Sequence, residues 1–129
     1  MFFHIDPSDG LAIYEQVVRQ VKFAVACGAV QEGELVPSVR DVARTLAVNP
    51  NTVARAYREL QGDRILAPLR GTGLLVAQGA AARCREERIE LIRLRLRQVL
   101  DEARRSRLTA EEIRRLVDGE LSAIEPSEA

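Results

Sequence analysis

The stretch that decides the fold is PSVRDVARTLAVNPNTVARAYREL, residues 37–60. It holds two short apolar stripes with a tight connection between them. Ser38 is placed to cap a first helix, with Asp41 three residues later in a capping-box-like arrangement. Val39, Val42, Ala43 and Leu46 line one face of that helix. Asn49 is the next cap, and Pro50 follows at the first helical position, where its missing N–H costs nothing. Val53, Ala56, Tyr57 and Leu60 give the buried face of the second helix. A turn over residues 47–49 joins the two, and the pair reads as a helix-turn-helix.

Working outward, RILAPL at 64–69 and LLV at 74–76 read as two short strands around the turn Arg70-Gly71-Thr72-Gly73. A helix-turn-helix followed at once by a hairpin is the winged-helix arrangement. Upstream, Ile13, Val17, Val21, Ala24 and Val25 recur at helical spacing, which predicts a helix over 11–26 with Gly28 as its stop. Residues 31–34 read as a polar loop, and residues 1–10 as an extended segment ending in a turn. Downstream, Ile89, Ile92, Leu96, Val99 and Ala103 step by three and four residues, the seam of a helix that packs on a partner helix. Thr109 with Glu112 marks a second capping box, before a stripe of Ile113, Val117, Leu121 and Ile124. Residues 125–129 read as a frayed tail. The expectation is a mainly α fold with a small β-hairpin: a winged helix-turn-helix domain over 1–78 and a two-helix dimerisation segment over 79–129.

Composition agrees. With 47% apolar but only 4% aromatic residues, the 129-residue chain builds its core from Leu, Val, Ile and Ala. No apolar run approaches the ~20 residues of a membrane span, and MFFHIDPSDG lacks the basic flank of a secretory signal. Cys27 and Cys84, far apart and without a CxxC, read as reduced thiols of a cytoplasmic protein. The 19 basic and 19 acidic residues cancel, yet over 36–76 six arginines face three acids. A local excess of that kind attracts phosphate over a Debye length of ~8–10 Å.

The open residues of the second helix are Asn51, Thr52, Arg55 and Arg58, with Asn49 at the cap. A recognition helix presents its N-terminal half to the DNA major groove. Arg suits guanine edges and phosphates, while Asn and Thr meet bases or backbone. Ser38, Arg40 and the free N–H groups of the preceding helix start suit a phosphate, and Arg70 with Gly71 suits the minor groove. Outward arginines also occur on any small helical protein; the whole constellation at this spacing is what points to DNA.

The segments IYEQVVRQV at 13–21, PSVRDVARTL at 37–46, VNPNTVARAYREL at 48–60 and GTGLLV at 71–76 resemble the DNA-binding domain of GntR-family bacterial transcription regulators. The resemblance implies a homodimer on a palindromic operator, with DNA contacts at Arg40, Asn49, Asn51, Thr52, Arg55, Arg70 and Gly71. The NPNTVxRAY wording and the two helical patterns after the wing are similar to the YtrA subfamily. Its members dimerise through a short helical tail and often regulate adjacent transporter operons. Ile89, Ile92, Leu96, Val99, Ile113, Val117 and Leu121 are the dimerisation candidates. The chain departs from the family at Arg64, where relatives carry Gly after the recognition helix, leaving either a different turn or a role for Gly62. It departs again at Leu75, which replaces the usual wing Phe.

Rival classes are an enzyme and a winged helix used for protein–protein or RNA contact. Against catalysis stand a single His4, two cysteines with no matching His, no GxxxxGK[ST], and no cluster of tetrahedral metal ligands. No cofactor is expected, and the sequence names no small-molecule effector. Against the second rival stand the intact PSxR and NPNTV segments.

Overall fold

The computed structural model describes residues 4–6, 8 and 10–125. Its elements run α1 (Ile13–Ala26), α2 (Val39–Leu46), α3 (Pro50–Gly62), β1 (Leu66–Leu69), β2 (Gly73–Val76), α4 (Ala80–Arg105) and α5 (Ala110–Ile124). Two compact units divide between Ile89 and Glu90. Residues 126–129 of the expected frayed tail lie outside the described residues, as does part of the expected N-terminal turn.

In the first unit α3 packs against both α1 and α2. The core is aliphatic: Val17, Val21, Val25, Val53, Leu60, Leu66 and Val76 are fully buried, with Tyr57 the one buried aromatic among the described residues. Ala80 and Cys84, from the first turns of α4, belong to this same core. Ile13, expected on the apolar stripe of α1, is exposed, while Gln16 is buried. Gln16 Oε1 accepts from Asp6 N at 2.8 Å, and its Nε2 donates to Asp6 O at 2.9 Å and Leu11 O at 3.1 Å. One turn on, Gln20 Oε1 accepts from His4 N at 2.7 Å and its Nε2 donates to His4 O. Two glutamines on one helix face thus act as a surrogate ladder for the segment before α1.

The wing is wider than a hairpin. Leu66 pairs with Val76 and Leu69 with Gly73, antiparallel. On its other edge β2 meets residues 33–36, the stretch expected to begin in a polar loop. Gly33 N donates to Val76 O at 2.8 Å, Val36 N to Leu74 O at 2.9 Å and Val76 N to Glu34 O at 2.9 Å. β2 is therefore central and β1 lies at the edge, which is why β1 tolerates Pro68 and its missing N–H.

Four helices end in one way. The N–H of a left-handed residue bonds three residues back, and the next N–H bonds five back, the Schellman arrangement. At α1 these are Gly28 to Val25 and Ala29 to Ala24; at α2, Ala47 to Arg44 and Val48 to Ala43. At α3 they are Arg64 to Gln61 and Ile65 to Leu60; at α4, Arg107 to Arg104 and Leu108 to Ala103. Gly28 has φ 81°, but Ala47, Arg64 and Arg107 turn left-handed with φ of 54°, 62° and 66°. The departure at Arg64 is thereby resolved: the turn is kept, Arg64 itself adopts it, and Gly62 stays helical. Burial of Ile65 and Leu60 on either side of the turn holds Arg64 in a conformation that L-residues disfavour.

In the second unit α5 starts on the expected capping box. Glu112 N donates to Thr109 Oγ1 and Thr109 N to Glu112 Oε1, both at 3.1 Å. No described residue from Glu90 onward is fully buried.

Replacing Arg64 with Gly removes the left-handed strain while keeping every hydrogen bond of the turn. Arg64→Gly is expected to raise unfolding stability by about 1 kcal/mol, read as a higher urea midpoint at unchanged m-value.

Candidate nucleic-acid interface

The site is built from three chain segments of the first unit. Ser38 Oγ accepts from Asp41 N at 3.0 Å and starts α2, which leaves its own hydroxyl proton free to donate outward. Arg40 is exposed on the first turn of that helix. Asn49 Oδ1 accepts from Asn51 N at 2.8 Å and starts α3, so the Asn49 side chain caps the helix through its oxygen and keeps its amide N–H groups available.

The geometry of α3 then separates two stripes. At 100° per residue, Asn51, Arg55 and Arg58 fall within about 60° of one another, opposite the stripe of Val53, Ala56, Tyr57 and Leu60. The first three are exposed and the last four buried. Thr52 lies half-buried beside the open stripe, its N–H donating to Asn49 O at 2.9 Å. Arg70 and Gly71 occupy the exposed tip of the hairpin, where Gly71 has φ 76° and Thr72 N donates to Leu69 O at 2.9 Å. Of the dimerisation candidates Ile89, Ile92, Leu96, Val99, Val117 and Leu121 are exposed, Val99 by 60%, and Ile113 is half-buried.

Two contacts that matter to this surface were not legible in the sequence, although Tyr57 was expected on the buried face of α3. Tyr14, on α1, lies with its ring 3.7 Å from the Arg55 guanidinium carbon. Tyr57 donates its hydroxyl to Pro37 O at 2.7 Å and so ties α3 to the segment entering α2. Both pairings join residues distant in the chain, which helical periodicity does not report.

An exposed polar and basic stripe on the second helix of a helix-turn-helix, flanked by a β-hairpin, defines a winged-helix DNA-binding regulator. The family described as bacterial regulatory proteins, gntR family, matches residues 13–76. The HTH-type transcriptional repressor YtrA of Bacillus subtilis (strain 168) is 36% identical over 99 residues, covering 77% of this chain and 76% of that protein. The chain belongs to the GntR family. A transcriptional regulator from Oenococcus oeni superposes with TM-score 0.79 at 28% identity, over 93% of this chain and 99% of that one. The AraR DNA-binding domain in complex with operator ORE1 shares the fold, with TM-score 0.50 at 19% identity, over 60% of this chain and 94% of that one. These relatives are transcription regulators rather than enzymes. No helix among the described residues is long and apolar enough to cross a membrane.

Burial pushes the Tyr57 hydroxyl up from 10.0 to about 12. The folded value exceeds the unfolded one, so the protonated phenol contributes stability that is complete below pH 10 and lost as pH rises toward about 12. Tyr57→Phe is expected to cost about 1 kcal/mol at neutral pH, because the Pro37 carbonyl loses its donor. It also makes the fall in stability between neutral pH and pH ~11 shallower, as measured by urea unfolding at the two values.

Proposed function

We propose that this chain is a repressor that binds a palindromic operator as a homodimer and occludes a promoter, that of its own operon. The observation that carries the reading is the open stripe of α3, with Asn51, Arg55 and Arg58 in line and Thr52 beside it. In this reading α3 enters the major groove and Arg55 reads a base edge. Ser38, Arg40, Asn49 and Arg58 hold phosphates, and Arg70 with Gly71 follows the neighbouring backbone or minor groove. Repression follows the printed name of the YtrA relative. A transporter within the operon rests on the resemblance to YtrA-like regulators alone. With Arg55→Ala, affinity for duplexes selected from a random pool by the unmodified chain is expected to fall by about 1–3 kcal/mol, with relaxed preference at one base pair. Arg40→Ala and Arg70→Ala weaken all sequences alike. Unchanged titrations for both Arg40→Ala and Arg55→Ala would refute the assignment.

The homodimer is supported by the apolar surface of the second unit. Leu96 is 50% and Ile124 74% exposed, beside exposed Ile92, Val99, Val117 and Leu121. Full burial of one Leu or Ile contributes about 1.5–3 kcal/mol, so covering several of them drives association. Two recognition helices must also meet half-sites about one DNA turn apart, ~34–36 Å. The paired change Leu96→Glu with Leu121→Glu is expected to yield a folded monomer with poor operator affinity. An unmodified chain that sediments as a monomer at micromolar concentration and still binds would overturn the dimer.

A further inference from the structure

We infer that Tyr14 is a positioning residue for base reading: its ring holds the Arg55 guanidinium ready for a base edge without using the donors that the base needs. This rests on the role proposed for Arg55 above. Tyr14 lies in the first turn of α1 and Arg55 in the second turn of α3, two helices that pack directly on each other. The guanidinium carbon stands 3.7 Å from the ring centroid, close enough for a strong cation–π attraction. The half-buried ring is steadied at its far edge, where Tyr14 OH donates to Glu15 Oε1 at 3.2 Å.

Stacking occupies the flat face of the guanidinium and leaves its N–H groups, which radiate in the plane. Among the described residues Arg55 enters no hydrogen bond and no salt bridge, so the in-plane fork is open for a bidentate pair. A free arginine samples many rotamers that binding must freeze, and a stacked one has lost most of that freedom beforehand. Arg55 is singled out in this. Arg40, Arg58 and Arg70 have no such ring beneath them among the described residues; the other arginine stacked on an aromatic, Arg88 at 5.0 Å over Phe23, lies outside the proposed surface. A residue that fixes the base-reading arginine sets discrimination between base pairs more than general attraction to DNA.

The test titrates the full-length protein onto duplexes that it has selected from a random pool, and onto copies carrying each single base-pair change, over a salt series. Tyr14→Ala is expected to weaken the selected duplex by about 3- to 30-fold and to flatten the preference at the base pair that Arg55→Ala also flattens. The salt slope stays unchanged, since no phosphate contact is lost. Tyr14→Phe keeps the ring and the wild-type preference, whereas Tyr14→Leu, of similar apolar volume and with an unshifted melting temperature, behaves as Tyr14→Ala. The double variant Tyr14→Ala with Arg55→Ala loses no more than Arg55→Ala alone. If Arg55→Ala leaves every titration unaltered, the reading of α3 fails and this inference fails with it. If Arg55→Ala flattens a preference that Tyr14→Ala or Tyr14→Leu preserves, or if the two losses add, the role of Tyr14 alone is overturned.

Discussion

The geometry of the candidate nucleic-acid interface depends on one hydrogen bond, from the Tyr57 hydroxyl to the Pro37 carbonyl. The core around it is made of Val, Leu, Ile and Ala, close-packed but joined by contacts that are non-directional and leave a helix some freedom to roll. A directional bond between the buried stripe of α3 and the segment entering α2 removes that freedom. The magnitude is easily judged: at a side-chain radius of about 5–6 Å, a roll of 30° moves an outward tip by about 3 Å, a full hydrogen-bond length. The rotation of α3, and with it the direction of Asn51, Arg55 and Arg58, is fixed from its buried side.

How much of this was legible depends on the range of the interaction. The two helix starts at Ser38 and Asn49 and the capping box at Thr109 were readable, since a cap is a contact within three residues and leaves its residue types in the chain. The stop at Gly28 was readable for the same reason. The chain around Arg64 was harder, because an arginine in a left-handed turn is held there by burial of Leu60 and Ile65, which glycine counting does not register. Residues 33–36 carry no strand alternation, yet β2 pairs with them, as an edge needs only backbone groups. Gln16 lies outside the apolar stripe expected of α1 and is nevertheless buried, because its partners are the main chain at Asp6 and Leu11. Apart from the turn at Arg64, which is local but set by burial, each miss is a contact across the chain or one that ignores side-chain identity.

Charge is distributed by task. The surface pairs Arg44–Asp41 at 4.0 Å and Arg115–Glu111 at 3.7 Å are exposed on both sides and add little to stability. Lys22 is different: mostly covered, it meets Asp63 at 3.3 Å and Glu87 at 3.2 Å. Burial by itself would lower its pKa, but the two carboxylates outweigh that and hold it above the ordinary lysine value. Lys22 thus links α1 to the end of α3 and the first turns of α4. Arg83 donates to the carbonyl of Arg64, so the exit of α3 is held once from α1 and once from α4.

The glutamine grip on the segment before α1 has a consequence for how this chain can diverge. Gln16 and Gln20 hold the peptide groups of Asp6 and His4 and take no account of what those side chains are. The letter at position 4 is therefore free to drift while the arm keeps its place; at position 6 the Asp6 carboxylate adds a hold of its own, accepting from Ser8 N at 2.9 Å and Ser8 Oγ at 2.6 Å. Chains that share this arm in space need share little of its spelling, because most of its grip is on peptide groups and is carried by two glutamines on another element.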